Sequence, residues 1–160
     1  MKLSIIISTY NRANSLIRTL ESVVQQSADP SLWECVVVNN ASTDNTAELC
    51  QQFIESHPTF NIRVIDEPIQ GLSQARNCGI RAAKGGYVAF IDDDETISKD
   101  FVAAYIEVFV ERDAFAAAGA VVPQYDGGRP YWMSKYPEQM IANPIDLGDT
   151  ICRIPSNITP

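Results

Sequence analysis

The chain has 160 residues, of which 46% are hydrophobic, 9% aromatic and 20% charged, and its formal net charge is −8. That length suits one domain, able to bury about two-thirds of the surface its unfolded form exposes, and the composition is ordinary for a globular protein. The acidic balance argues against a nucleic-acid backbone as partner, because such binders cluster Lys and Arg; a phosphate ligand would instead meet this protein through a metal cation.

In chain order, residues 3–8 read as a buried strand, rich in Ile and apolar until its end. This run is too short for a signal peptide. Asn14 or Ser15 can cap the helix that follows, with Leu16, Leu20 and Val23 on one face and Ile17 and Val24 beside them. Residues 34–38 form the second strand. Thr43 or Asp44 then caps a helix carrying Ala47, Cys50 and Ile54 inward, flanked by Leu49 and Phe53. A third strand covers 62–65. The helix over 72–83 has a small-residue face of Ala75, Cys78, Gly79 and Ala82, suited to close packing. Residues 87–91 are a fourth strand, apolar throughout. Ser98 caps a helix that turns Phe101 or Val102, Tyr105 or Ile106, and Phe109 inward, and 116–122 reads as a fifth strand.

Strand and helix alternating at this spacing predict right-handed βαβ units: an α/β fold with a mainly parallel sheet flanked by helices. The βαβ pattern spans 1–122. An irregular tail, 123–160, follows, punctuated by Gly127, Gly128, Pro130, Pro137, Pro144 and Pro155, with one short helix over 137–141. No run approaches the ~20 apolar residues that cross a bilayer, so a cytoplasmic protein is expected. The four cysteines, Cys35, Cys50, Cys78 and Cys152, lack metal-site spacing. They read as buried thiols in a reducing compartment.

Ligands of parallel sheets bind beyond the carboxyl ends of the strands, and three polar clusters fall there. Asp92, Asp93, Asp94 and Glu95 end the fourth strand. Four successive carboxylates repel one another unless solvent or a cation compensates, and hard divalent cations take one or two carboxylates plus substrate phosphates. The alternative is an acidic turn that favours the next helix start. Asn39 and Asn40 can read a base edge or make an Asx-turn. Thr9 and Asn11 are open to the same choice between ligand contact and helix entry. Arg12 and Arg76 can pair with phosphate or with solvent and carboxylates. His57, the only histidine, precedes Pro58 at a helix end, so no Ser-His-Asp or Cys-His arrangement exists. Neither a P-loop nor a dinucleotide glycine fingerprint is present.

Four of these segments, taken in order, resemble the motifs of family 2 glycosyltransferases, which adopt the GT-A fold. They are Ser4-Ile5-Ile6-Ile7-Ser8-Thr9-Tyr10-Asn11-Arg12, Val38-Asn39-Asn40-Ala41-Ser42-Thr43-Asp44, Gly71-Leu72-Ser73-Gln74-Ala75-Arg76-Asn77-Cys78-Gly79, and Phe90-Ile91-Asp92-Asp93-Asp94-Glu95. The likeness is strong from Met1 to about Val122. It implies that 1–122 binds a nucleoside diphosphate sugar, a UDP-sugar by the family's habit, with Mn²⁺ or Mg²⁺. Thr9 and Asn11 would line the nucleotide pocket with Arg12 near the phosphates, and Asn39 would contact the base. Arg76 would bear on the nucleotide or the acidic motif. Asp92 and Asp93 would hold ribose or sugar hydroxyls, and Asp94, with Asp92, would ligate the metal.

Two departures stand out. Asn39 replaces the Asp that the family often places there, and the acceptor-side base is expected beyond Pro160, since Glu138, Asp146 and Asp149 lack its motif context. The reaction implied is inverting transfer to a sugar, lipid-linked or protein acceptor, which would place the protein in the cytoplasm or at the inner face of the membrane. Tyr131 and Trp132 would form an acceptor platform or an apolar anchor, and uncovered apolar surface would favour homo-oligomers. Two rival readings are a nucleotide-binding module without transfer and a nucleotidyltransferase. The latter would be expected to carry a Gly-rich basic loop where Thr9-Tyr10-Asn11-Arg12 stands.

Overall fold

Strands β1 (Leu3–Thr9), β2 (Trp33–Asn39), β3 (Ile62–Asp66) and β4 (Tyr87–Asp92) alternate with helices α1 (Ala13–Val23), α2 (Thr46–Ser56), α3 (Leu72–Ala82) and α4 (Phe101–Glu111) in a computed structural model that describes residues 1–134. All strand pairs are parallel, in the order β3-β2-β1-β4. Helices cover both faces, which explains why β1 and β2 read as unbroken apolar runs. On one face Leu3, Ile5 and Ile7 of β1 meet Leu16 and Leu20 of α1, Cys50 and Phe53 of α2, and Val102 and Phe109 of α4. On the other, Ile6, Val36 and Val38 pack against Ala75, Cys78 and Ala82 of α3. A β-carbon at Gly79 would collide with the Ile6 side chain, so the small-residue face brings α3 hard against β1. The chain divides into two units after Ala117, and every helix and strand above belongs to the first.

One buried polar cluster ties the amino-terminal ends of the strands together. Glu34, fully buried on β2, accepts from the Ser4 hydroxyl at 2.7 Å, the Lys84 amide at 2.6 Å and Arg63 Nε at 3.2 Å. Ser4 Oγ in turn accepts from the Gly85 amide at 2.8 Å. The α3–β4 turn is thereby fastened to β1 and β2.

The helix starts differ from the sequence reading. Neither Asn14 nor Ser15 caps α1; the cap position is Arg12, without a side-chain bond. Asn11, at φ 53°, turns the chain into the helix earlier than expected. In α2 the inward residues are Thr46, Cys50 and Phe53, while Ala47 is exposed. Asp44 lies just before this helix and accepts from the Thr46 amide at 3.0 Å, and the cap position itself is Asn45. Asp100, not Ser98, occupies the cap position of α4; the Ser98 carbonyl accepts from the Phe101 amide at 3.0 Å. No strand forms over 116–122. Its Ala116-Ala117-Ala118-Gly119-Ala120 run has little side chain to pack and weak strand preference. The expected helix over 137–141, Cys152, Glu138, Asp146 and Asp149 lie outside the described residues. Cys35 and Cys50 are buried free thiols and Cys78 is half-buried.

Candidate functional site

The carboxyl ends of the strands gather the polar clusters at one edge. Register sets Thr9, Asn39 and Asp66 in one row across β1, β2 and β3, and Ser8 beside Asp92 of β4. Left-handed residues follow two of these ends, Asn11 after β1 and Ala41, φ 61°, after β2, so both chains turn sharply at the edge.

Asn11, Asn39 and Asn40 are each engaged by a neighbouring loop or strand end. Asn11 Oδ1 accepts from the Thr43 amide at 2.7 Å, and the Asn11 amide donates to Ser42 Oγ at 3.1 Å, which couples the β1 loop to the β2 loop. Asn40, buried, donates through Nδ2 to the carbonyls of Glu67 and Ile69 at 3.0 and 2.8 Å and accepts from the Gly71 amide at 2.7 Å. It thereby holds the loop that enters α3. Asn39 Nδ2 donates to Asp66 Oδ1 at 2.9 Å, while its carbonyl accepts from the Ser42 amide at 3.3 Å.

Two arginines pair with three of the four carboxylates of the acidic turn. Arg12 Nη1 lies 2.6 Å from Asp94 Oδ2 and 3.4 Å from Asp93 Oδ1, and Arg76 Nη2 lies 3.1 Å from Asp92 Oδ1. Arg76 is steadied by the Phe90 ring, 5.5 Å from guanidinium carbon to centroid. Asp92 and Asp94 are exposed, whereas Asp93 is buried and its backbone carbonyl accepts from the Thr19 hydroxyl at 3.0 Å. Burial pushes the Asp93 carboxyl above its usual range. The Thr9 hydroxyl is close enough to oppose that shift, yet its geometry falls short of a hydrogen bond.

Beside these groups lies a cleft of about 190 Å³ lined by Ser8, Thr9, Tyr10, Asn40, Gln70 and Gly71 among others. The hydroxyls of Ser8 and Thr9 are buried and unpaired among the described residues, an arrangement that a ligand's polar groups could complete. A larger, open hollow of about 670 Å³ lies at the other end of β4, around Gly86, Tyr87 and Phe109. It gathers no polar cluster, so we place the site at the carboxyl edge.

Of the residues singled out in the sequence, the structure joins Arg12 with Asp93 and Asp94, Arg76 with Asp92, and places Thr9 and Asn39 side by side. Asn11 stands at the same edge with its side chain turned to the 42–44 loop. His57 does not take part: Nδ1 sits 2.9 Å from the Phe53 carbonyl at the end of α2. Sequence reasoning set Ser8 in the polar end of β1 without giving it a role, and did not single out Asp66, which ends β3. Both are polar residues at or next to a strand's carboxyl end, which was the available signal.

No set of three His, Cys, Asp or Glu side chains is arranged to hold a metal among the described residues. A cation that keeps its waters and binds phosphates needs fewer, one or two carboxylates, and the exposed Asp92 and Asp94 can supply them. The residues therefore fit a hard divalent cation bound together with a phosphate ligand.

A parallel sheet covered on both faces, with loops and an acidic turn at its carboxyl edge, defines a GT-A domain, the fold of nucleotide-diphospho-sugar transferases. The chain belongs to glycosyl transferase family 2, which it matches over residues 4–158. It is 37% identical over 118 residues to the glycosyltransferase GlyA of Streptococcus pneumoniae, a match covering 74% of this chain and 16% of that protein. Among solved structures, a mannosyltransferase from Pyrobaculum calidifontis in complex with GDP-Man and Mn²⁺ superposes with a TM-score of 0.65 at 28% identity, covering 68% of this chain and 32% of the other. S. aureus TarS 1-349 in complex with UDP gives a TM-score of 0.65 at 27% identity, covering 78% and 38%. The chain thus spans well under half the length of these relatives. No helix among the described residues is long and apolar enough to cross a membrane.

Proposed function

We propose that this chain is the donor-binding portion of an inverting glycosyltransferase that takes a UDP-sugar with Mn²⁺ or Mg²⁺. The observation that carries this reading is the acidic turn at the carboxyl edge, with Asp92 and Asp94 exposed and each balanced by a guanidinium. Relatives of the same fold bind GDP-Man with Mn²⁺, and UDP, which supports a nucleoside diphosphate and a divalent cation as the ligands.

Asp94, with Asp92, would hold the cation. When bound, the cation offsets negative charge on the departing diphosphate. Arg12 and Arg76, released from their carboxylates, would pair with the phosphates. Asp93, kept in place by Thr19, would accept from a ribose or sugar hydroxyl. Ser8 and Thr9 offer their unpaired hydroxyls to the nucleotide, and Asn39 meets the base. None of these residues is assigned as the acceptor's general base. A nucleotide-binding module without transfer, or a nucleotidyltransferase, would share much of this geometry, and a single preparation assayed for sugar transfer, donor hydrolysis and nucleotidyl transfer separates the three. Calorimetry tests the core of the reading. UDP should bind appreciably better with Mn²⁺ than with EDTA, and Asp94→Ala should remove most of the difference; equal affinity with and without metal refutes it.

A further inference from the structure

Helix α1 buries Thr19 alongside Leu16, Leu20 and Val23, and Gln26 is buried just past the helix end. A polar side chain in such a place costs stability unless it is hydrogen-bonded. Here the bonds run to the connection between β4 and α4. The Thr19 hydroxyl donates to the Asp93 carbonyl at 3.0 Å, closer than the 3.3 Å to the Ser15 carbonyl one turn back in its own helix. Ser22, three residues on and so on the same face, donates to the Thr19 carbonyl at 2.7 Å and accepts from the Ile97 amide at 3.1 Å. Gln26 Nε2 donates to the Ser98 carbonyl at 2.8 Å, and Gln26 Oε1 accepts from the Val102 amide at 2.9 Å. That amide is one of the four that a helix start leaves without an internal partner, and Asp100, at the cap position of α4, makes no capping side-chain bond.

We infer that Thr19, Ser22 and Gln26 are positioning residues: from α1 they hold the β4–α4 connection so that Asp92 and Asp94 stay available together to one divalent cation. This rests on the donor-site reading above, with the cation at those two carboxylates. Residues 93–100 form neither helix nor strand, so no ladder of their own fixes them. Asp93 is buried and held by its carbonyl, while Asp92 before it and Asp94 after it are exposed. Pinning the middle residue sets its two neighbours outward at once. Arg12, at the cap position of the same helix, faces Asp93 and Asp94. One rigid element thus anchors the backbone of the acidic turn and carries the guanidinium opposite it. A turn free to shift would offer its carboxylates one at a time, and groups that orient a metal's ligands count in its affinity.

The test is calorimetry of UDP with MnCl₂ and with EDTA on wild type, Thr19→Val, Thr19→Ser and Ser22→Ala, with urea unfolding alongside. Valine keeps the shape of threonine and removes the donor. In Thr19→Val the gain in UDP affinity on adding Mn²⁺ should shrink by about tenfold, the low end of what losing a partner behind a metal ligand costs. UDP affinity in EDTA should stay at the wild-type value, which a merely damaged fold would not allow. Thr19→Ser retains the hydroxyl and should retain the gain. Ser22→Ala should shrink it in the same direction, and decides the matter alone if urea unfolding shows that Thr19→Val does not fold. A wild-type gain in Thr19→Val, or in Ser22→Ala where the valine variant does not fold, overturns the inference while leaving the donor-site reading standing. Equal losses in EDTA and in Mn²⁺ overturn it too. If wild type itself gains nothing from Mn²⁺, the donor-site reading fails and the inference fails with it.

Discussion

Arg12 and Arg76 stand where a cation and a diphosphate would compete for their partners. Their ion pairs with Asp94 and Asp92 are exposed on both sides, and such pairs contribute little stability, about 0–1 kcal/mol. Giving them up on ligand binding therefore costs little. Arg12→Gln should bind Mn²⁺ a few-fold more tightly than wild type in the absence of nucleotide, because a competing charge is gone, and should bind UDP more weakly in its presence. Titration of Mn²⁺ by paramagnetic resonance reads the first effect and calorimetry the second; unchanged Mn²⁺ affinity would show that the guanidinium does not screen Asp94. At this scale the acidic run, Arg12, Arg76 and Asn39 were legible in the sequence because their residue types are unusual at the end of apolar strands. Asp66 was not. Its meaning depends on strand register, which sets it opposite Asn39, and one sequence does not state register. The commitment of Asn11 to the 42–44 loop was hidden for the same reason: it is a contact across 32 residues.

Among the elements, the alternation of strand and helix was legible because buried parallel strands leave long apolar runs. Helix starts were not, since the caps expected from Asn14, Ser15 and Ser98 gave way to tertiary contacts. The fifth strand over 116–122 was over-read from Val121 and Val122, with an Ala-rich stretch before them. What welds the elements together is the Glu34 cluster. Burial alone would raise the Glu34 carboxyl, but the Ser4 hydroxyl, the Lys84 amide and Arg63 outweigh it and hold the carboxyl below its ordinary 4.5. A carboxylate depressed in the folded state stabilises the fold above its unfolded pKa, and that contribution drains away as pH falls through the folded value. Unfolding by urea should thus show stability declining below about pH 4.5 in wild type. Glu34→Gln should lose about 1–3 kcal/mol at pH 7 and show a flatter acid limb. A variant as stable as wild type at pH 7 would mean that the cluster carries no net weight.

At the scale of the molecule, the matched part of the chain covers 32% and 38% of two solved relatives. On the proposed reading the donor-side groups lie between Ser8 and Asp94, and the acceptor's base is not among them. A positioned base typically contributes about 10²–10⁴-fold. This chain alone should therefore bind donor yet transfer sugar at least about a hundredfold more slowly than a version extended along the relatives' length. A radiolabelled donor assay over an acceptor panel decides this, and comparable rates would place the base within these residues. The sheet order has a further consequence. With β3 outermost on one side and β4 on the other, Asp66 and Asp92 are three strand spacings apart, roughly 14 Å at the usual interstrand distance. The row of strand ends is in effect a measuring stick laid across the ligand. On the proposed reading, a free nucleoside at the β2–β3 end would leave the β4 carboxylates untouched, and a free sugar phosphate at β4 would leave Asn39 unread. Only a molecule with a base at one end and a diphosphate at the other would engage both ends at once, so neither half of the donor should block the site as well as the whole.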